Sequence, residues 1–451
     1  MVTDSGSWED WRRLSNTALT PMARHLLIRK MLRAGEVCAT VVALFVISRA
    51  VLPLLLRGSA ELPRDTEPPV LIERLPYWLI YAFTALQCVL RPRQLLRALA
   101  ENPFVAAVVA IALLSTSWSV DAGTLRRAFQ LGLSTLFGLY LASRYRSREL
   151  LPQLAIVLGV SAVLSVLFSL MLPEYGLAPN EVAWQGVFTH KNTLGQAMLL
   201  ATMVFTVVEK RGNGFRFFAW MGTALAIALI VLSRSMTAML VLGALAAAAP
   251  LAHLLRQGRA KSFVLLLAVC CALSVALLVA VRDRQLVLSA LGRDVTLTGR
   301  TALWREVIQR IADRPLLGYG YGAFWVNGAW PAEALRAAIG WDTPHSHNGF
   351  LDFSLDLGLL GLSVLGAALV LAVRRAWKRW SRDPSADALW PLVFLVTTIL
   401  IDLTESPLYQ GGLVWPLFVF AATVRANRDE GNGRQAEMTL RGRKPAAAPT
   451  P

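Results

Sequence analysis

The chain has 451 residues, of which 55% are hydrophobic, and a formal net charge of +16. A soluble chain of this length would form two or three domains. Here apolar stretches of about 15 to 24 residues recur along the whole sequence, close to the length that a helix needs to cross the hydrocarbon of a bilayer. The composition excludes an ordinary soluble protein and predicts an all-α polytopic membrane protein.

The net positive charge does not indicate a nucleic-acid partner. Lys and Arg lie mostly in short segments between apolar runs, as the positive-inside rule requires of a membrane protein. We therefore expect contacts with membrane lipids and none with nucleic acid.

The apolar runs predict twelve transmembrane helices, whose boundaries carry an error of a few residues. They cover residues 35–56, 76–90, 103–117, 128–143, 151–172, 193–208, 217–233, 237–255, 262–281, 350–373, 386–404 and 409–424. With the N-terminus inside, each inside connection carries three or more Lys or Arg, as in Arg144, Arg146 and Arg148. Both termini are therefore predicted to be cytoplasmic.

This topology divides the chain into five segments. Residues 1–33 form a basic cytoplasmic tail without a cleavable signal peptide, and residues 34–281 hold spans one to nine. Residues 282–349 form one large outside loop that contains helices, for example over 301–313, and residues 350–424 hold the last three spans. Residues 425–451 form a disordered cytoplasmic tail.

The four cysteines predict no metal site. Cys38, Cys88, Cys270 and Cys271 all lie in apolar runs and lack the spacing of metal ligands. Buried inert thiols are the expected reading.

Unusual polar residues follow in chain order on the outside face. Arg127 precedes span four, and His190 and Lys191 precede span six. Arg234 lies alone in a tight turn between two long apolar runs, where no positive-inside pressure requires a charge; an anion contact and a snorkelling anchor are equally good explanations. Arg300 begins a helical stretch of the large loop.

The stretch from Thr343 to Gly361 is the most polar approach to any span. It holds His345, His347 and Asn348, and then Asp352 and Asp356, which share one helical face. We expect the two aspartates to form a polar stripe toward the bundle rather than metal ligands. Nearby aromatic side chains are expected to anchor at the interface rather than bind sugar; they are Trp184, Tyr319, Tyr321 and Trp325.

Four stretches together resemble the bacterial O-antigen ligases and, more broadly, the superfamily of O-antigen ligases, O-antigen polymerases and O-oligosaccharyltransferases. They are "FTHKNTLGQ" (188–196), "LSRSMTA" (232–238), "LTGRTALW" (297–304) and "HNGFLDFSLDLGLLG" (347–361). The last is similar to the ligase pattern, with His347, Asn348, Gly358 and Gly361 at its fixed positions. Gly358 and Gly361 are expected to be close-packing positions in a membrane helix.

The resemblance implies a GT-C-like glycosyltransferase with about twelve transmembrane helices and one large periplasmic loop. It implies transfer of O-antigen glycan from undecaprenyl pyrophosphate to lipid A–core at the periplasmic face of the inner membrane, in lipopolysaccharide biosynthesis. The family's essential histidine corresponds to His347, and its functional arginines correspond to Arg234 and Arg300.

These residue types suit the chemistry that the resemblance implies. Two arginines can stabilise the charge that develops on a departing pyrophosphate without a metal or cofactor. A histidine suits the removal of a proton from a sugar hydroxyl, and attack opposite the leaving group inverts the anomeric centre. Supporting substrate contacts are expected from Lys191, Arg127, His345, Asn348 and His190. His345 would orient the acceptor or the loop, and Asn348 would fix the tautomer of His347 or cap the helix.

Three other functions remain open. An O-antigen polymerase would use the same chemistry with a glycan acceptor. A protein O-oligosaccharyltransferase fits less well, because such enzymes tend to carry extra outside sequence near the C-terminus. A transporter would place its polar groups near the membrane centre, whereas here they gather at one face.

Overall fold

The computed structural model describes residues 21–51, 53–54, 71–179, 182–208, 213–254 and 298–424. Within these ranges all regular elements are helical, and an isolated β-bridge joins Leu177 to Trp184. The expected all-α class is confirmed for this part of the chain. Several predicted features lie outside the described residues: span 262–281, the tail 425–451, residues 282–297 of the large loop, and Cys270 and Cys271.

The helices longer than one turn are numbered here in chain order. They are α1 (Pro21–Ile47), α2 (Leu71–Leu90), α3 (Pro92–Glu101), α4 (Pro103–Leu114), α5 (Thr124–Arg144), α6 (Ser147–Met171), α7 (Lys191–Val208), α8 (Asn213–Leu232), α9 (Met236–Leu254), α10 (Thr298–Asp313), α11 (Trp330–Ile339), α12 (Gly349–Arg382), α13 (Ala386–Asp402) and α14 (Val414–Thr423). Single helical turns occur at Pro173–Gly176 and Pro407–Gln410.

Each predicted span in the described ranges overlaps one of these helices. Three helical stretches are long and apolar enough to cross a bilayer alone: α6, Phe215–Leu232 within α8, and α12. Helix α3 and the stretch Pro103–Ser117, which begins with α4, are long and apolar enough only when they are taken together as one span. That span is bent by 94°. A helical membrane protein fits this pattern, while the count of twelve spans stays a prediction.

The core is built around the last helix. Every residue of α14 from Trp415 to Thr423 is buried, which is typical of a helix that is apolar on all sides and surrounded by others. Helix α14 packs against α5, α12 and α13, and α7 packs against α6 and α8. Large apolar side chains stay exposed on α8, among them Phe215, Phe217 and Phe218, as suits a lipid-facing surface.

A partly buried carboxylate joins α1, the junction between α2 and α3, and the end of α5. Glu36 of α1 accepts from Arg91 at 2.6 Å and from Arg144 at 2.9 Å. The charge bias along the sequence predicts that both arginines lie on the inside face. Their meeting at one side chain is consistent with that prediction.

Helix α12 is broken, contrary to the expectation of a continuous span. Gly358 has φ 64° and ψ −168°, a conformation that is essentially restricted to glycine. A side chain here would overlap the carbonyl oxygen of Leu316. Gly358 is therefore a close-packing position, as expected. It packs, however, against the irregular segment that follows α10 rather than against another membrane helix.

The aromatic side chains of that irregular segment are not interfacial anchors. Tyr319, Tyr321 and Trp325 are at most 9% exposed and belong to the hydrophobic core. The sequence expectation was wrong because it treated a tyrosine-rich loop as a surface feature. Asp352 and Asp356, in contrast, face the protein interior as expected, and both are buried.

Candidate functional site

The polar stretch before α12 is fixed by the start of that helix. Asn348 is the N-cap, and its Oδ1 accepts from the backbone N–H groups of Phe350 and Leu351 at 3.1 Å. Its Nδ2 donates to the carbonyl of Leu403 at 3.1 Å. The same side chain therefore caps α12, one of its two expected roles, and ties the helix to the segment that follows α13.

Asp352 secures the same stretch from one turn further along. Its Oδ1 accepts from the backbone N–H of Ser346 at 2.9 Å and from the indole of Trp325 at 2.8 Å, and its Oδ2 accepts from Ser406. Trp304 of α10 donates to the carbonyl of Ser346 at 2.8 Å. Four parts of the chain thus converge on one polar loop.

Glu405 lies at the centre of this convergence. It is 4% exposed. Its Oε1 accepts from Arg300 at 2.9 Å and from the side-chain amide of Asn192 at 2.8 Å. Its Oε2 lies 3.3 Å from Nδ1 of His347, and its carbonyl accepts from the backbone N–H of Gly349 at 3.0 Å. The carboxylate joins α7, α10 and the entry to α12.

The charge on Glu405 is stabilised by its partners. Burial alone would raise the pKa of this carboxyl group. The hydrogen bond to His347 and the charges of His347, Arg300 and His345 outweigh burial and lower the pKa to about 2. Glu405 therefore stays ionised at neutral pH and provides a fixed negative charge beside the histidine.

His347 is held in a strained conformation, with φ 53°. Such backbone is uncommon for residues other than glycine and often marks a functional position. Its backbone N–H donates to Nδ1 of His345 at 3.0 Å, and the two imidazole rings lie 4.1 Å apart. The ring of Trp341 is stacked with that of His347, with ring centroids 6.2 Å apart.

The carboxylate selects the tautomer of His347. An ionised carboxylate can only accept a hydrogen bond, so Nδ1 of His347 carries the proton, and the lone pair of the neutral imidazole is on Nε2. The His347 side chain keeps 14% of its surface exposed, whereas Glu405 keeps 5%. The arrangement can therefore present Nε2 as a base while its partner stays shielded.

The two candidate arginines differ in their surroundings. Arg300 donates to the carbonyl of Thr404 at 2.7 Å as well as to Glu405. Arg234 has φ 50° and an exposed side chain in the turn between α8 and α9. The start of α9, directly after that turn, reaches the site through a 3.2 Å contact between the hydroxyl groups of Thr237 and Thr404. Arg300 is built into the site, and Arg234 lies on an adjoining turn.

The "FTHKN" stretch reaches the same place through its asparagine. Nδ1 of His190 accepts from the backbone N–H of Asn192 at 3.2 Å, at the start of α7. Lys191 is the first residue of that helix. Because Asn192 contacts Glu405, His190 and Lys191 lie next to the site in sequence, and their contact with substrate stays a prediction.

Arg127 is the one candidate that lies in another cluster. It forms an ion pair with Asp121, and its side chain packs against Gly322. Neither of these residues contacts Glu405 in the described part of the chain. A role for Arg127 in phosphate binding stays a prediction.

One group of side chains has the composition of a metal site. His345, His347 and Glu405 each offer a ligand atom, and these atoms lie within 4.8 Å of one another. Imidazole and carboxylate are common zinc ligands. Both oxygens of Glu405, however, already contact Arg300, Asn192 or His347.

A cavity of about 160 Å³ opens beside the site. It lies between α7, α13 and the segment that precedes α14, and Thr193, directly after Asn192, is in its wall. Most of its other lining is apolar, including Leu199, Leu200 and Phe394. An apolar cavity next to charged groups suits a ligand with a lipid part and a polar head.

Sequence reasoning missed three residues of this site. The sequence pattern gives no role to Glu405 or Trp341, and it includes Asn192 only as part of the stretch "FTHKNTLGQ". The only signal for Glu405 is an acidic residue on the face where the histidines gather. Its role depends on contacts with residues 58 to 213 positions away in sequence.

Comparison with known proteins gives two matches. Residues 221–366 match a family model described as O-antigen ligase. The exopolysaccharide production protein ExoQ of Rhizobium meliloti (strain 1021) is 31% identical over 278 residues, which cover 56% of this chain and 62% of that protein. The chain thus matches less than two thirds of the relative's length. Both findings confirm the resemblance to the O-antigen ligase-type family.

Proposed function

From this resemblance to the O-antigen ligase-type family, we propose that the protein transfers a glycan from undecaprenyl pyrophosphate to lipid A–core, as an O-antigen ligase. The observation that carries the proposal is the His347–Glu405–Arg300 arrangement: a base, the carboxylate that orients it, and a cation within one hydrogen-bonded cluster. The family match includes Arg234, Arg300 and His347.

The proposed reaction begins at the acceptor hydroxyl. Nε2 of His347 removes its proton while the oxygen attacks the anomeric carbon of the donor. The bond between that carbon and the pyrophosphate oxygen breaks, and undecaprenyl pyrophosphate leaves with the bonding electrons. Attack from the opposite face inverts the anomeric centre.

Charge complementarity supports each end of this step. The imidazolium that forms lies beside the ionised Glu405, which stabilises it as the proton arrives. Negative charge develops on the leaving pyrophosphate, and the guanidinium groups of Arg300 and Arg234 are the proposed partners. Lys191 at the start of α7 is a further candidate for contact with this pyrophosphate.

The proposed location is the bacterial inner membrane, with the site at the periplasmic face and both termini in the cytoplasm. The gathering of His345, His347, Arg300 and Glu405 beside the start of α12, rather than at its middle, supports an interfacial reaction. A transporter is disfavoured for the same reason.

A second candidate is an O-antigen polymerase-like activity with a growing glycan as the acceptor. The similarity to a protein named for exopolysaccharide production favours it. The residues of the His347–Glu405 cluster would do the same chemistry in either case.

One experiment separates these proposals. Purified full-length protein is incubated with a glycan on undecaprenyl pyrophosphate and with lipid A–core, free glycan or a pilin-like protein as the acceptor. Transfer to lipid A–core supports the ligase, and transfer to free glycan alone supports the polymerase. Transfer to pilin would indicate an O-oligosaccharyltransferase, and transfer to none of them would overturn all three.

A further inference from the structure

The irregular segment after α10 replaces the hydrogen bonds that α12 loses at Gly358. Leu359 and Leu360 donate to the carbonyls of Pro315 and Leu316 at 2.7 and 3.2 Å, and Tyr319 donates to the carbonyl of Leu355 at 2.8 Å. Unpaired backbone groups are not tolerated in hydrocarbon, and non-helical backbone occurs there only where protein satisfies it. The break and the segment form one structural unit.

This unit lies in the outer part of the α12 span. A span needs about 20 residues, and counting back from Arg374, at the end of the apolar run, places its outer end near Ser354. Gly358 is then about one turn inside the hydrocarbon. Residues 315–317 pack beside it, so they reach the same depth.

The side chains at the tip of the segment are those expected against lipid. Leu316 is 68% exposed and Leu317 is 42% exposed, and the adjoining Leu359 and Leu360 of α12 are nearly half exposed. Exposed aliphatic side chains in one continuous patch are unfavourable in water. Acyl chains would cover them at no such cost.

A charged cavity lies next to the segment that carries this apolar patch. It has a volume of about 540 Å³, and its lining includes Arg310, Asp313, Arg314, Tyr319 and Trp330. Arg314 immediately precedes Pro315, so the cavity adjoins the segment that enters the hydrocarbon.

The cavity combines cations with aromatic rings. The guanidinium of Arg310 lies 5.8 Å from the ring centre of Trp330, and that of Arg314 lies 4.9 Å from the ring centre of Tyr319. Trp330 is 70% exposed. The Nε of Arg310 is buried and has no hydrogen-bond partner among the described residues. Two arginines against one aspartate leave the cavity positive.

We propose that this cavity binds the phosphate of an anionic phospholipid, whose acyl chains lie along Leu316 and Leu317. Arginine is suited to phosphate, and tryptophan is enriched at the depth of lipid headgroups. The contiguous apolar patch favours a lipid over a soluble acidic sugar or free phosphate. The inference does not depend on the transfer reaction, because none of these residues contacts Glu405.

Quenching of Trp330 by brominated lipids tests this proposal. Full-length protein is reconstituted in vesicles of phosphatidylcholine that contain brominated phosphatidylglycerol or brominated phosphatidylcholine. The fluorescence of Trp330 is obtained as the difference between the tryptophan emission of the wild type and that of Trp330→Phe. We expect stronger quenching of this signal by brominated phosphatidylglycerol.

The charge of the cavity should set that preference. Arg314→Gln should lower the preference for phosphatidylglycerol by about fivefold, since one cation near the membrane surface contributes about 1 kcal/mol. Arg310→Gln should act in the same direction. Arg305→Gln, an exposed position on the same helix, is the matched control and should leave the preference unchanged.

Two further measurements distinguish a lipid phosphate from a soluble anion. If brominated lipid does not quench Trp330, the cavity faces water and the proposal is wrong. If inorganic phosphate or a soluble acidic oligosaccharide abolishes the quenching at low millimolar concentration, the cavity binds a soluble anion instead, and the proposal also fails. In His347→Ala, brominated lipid should quench Trp330 as it does in the wild type. The lipid proposal therefore stands or falls independently of the glycan-transfer assay.

Discussion

Oε2 of Glu405 lies 3.3 Å from Nδ1 of His347, across 58 positions of sequence. The same carboxylate binds Arg300 through its other oxygen. The proposed base, His347, and an arginine suited to bind phosphate, Arg300, thus contact the same buried carboxylate. Breaking either contact should affect the other, because the carboxylate fixes the position of both.

His347→Ala should abolish glycan transfer, because it removes the Nε2 atom that acts as the base in the proposed reaction. A loss of at least about a thousandfold is expected, within the range for a general base that also orients its substrate. Transfer is measured with lipid-pyrophosphate glycan and lipid A–core. His345→Ala is the comparison and should retain more activity; full activity in His347→Ala would refute the general-base role.

Glu405→Gln should reduce transfer about a hundredfold or more, since it removes the group that fixes the tautomer of His347. The readout is kcat near neutral pH, where Glu405 is ionised in the wild type. Wild-type kcat in Glu405→Gln would show that the carboxylate does not take part in the reaction.

The acid stability of the protein should also depend on Glu405. Its pKa is lowered from 4.5 to about 2, so its ion pairs stabilise the fold fully above pH 4.5, and this contribution is lost as the pH falls toward 2. Thermal unfolding in detergent should show a Tm that falls more steeply over this window in wild type than in Glu405→Gln. Parallel curves for the two proteins would contradict the pairing.

Arg234→Lys should lower transfer strongly if the exposed guanidinium grips a phosphate with two hydrogen bonds, since an ammonium cannot. The expected loss is about a hundredfold, as for other groups that stabilise charge in a transition state. Arg305→Lys, at another exposed arginine, provides the control. Retained activity in Arg234→Lys would indicate a simple interfacial anchor.

Gly358→Ala should destabilise the protein by about 3 kcal/mol, because it forces a side chain into a glycine-only conformation and against Leu316. Gly366→Ala is the matched control on the same helix, where an added Cβ meets nothing within 4 Å. That change should be neutral or slightly stabilising. Chemical or thermal unfolding in detergent measures both, and equal stabilities would show that α12 tolerates a continuous helix.

The sequence determined the class of the protein and most of its helices. Apolar runs of span length can only be accommodated as helices in a membrane, so their positions follow from composition. The motif around His347 and Asn348 also pointed to the site, because the histidines are rare and gather on one face. The cap at Asn348 follows from a local rule that needs no tertiary contact.

Only the tertiary structure decided which charged residues act together. Glu405, Asn192 and Arg300 come from three distant segments, and no local pattern encodes their meeting. The break at Gly358 likewise depends on the segment 315–320, which supplies the missing hydrogen bonds. Hydrophobicity and local propensity act along the chain, whereas ion pairing and backbone satisfaction act through space between segments that folding brings together.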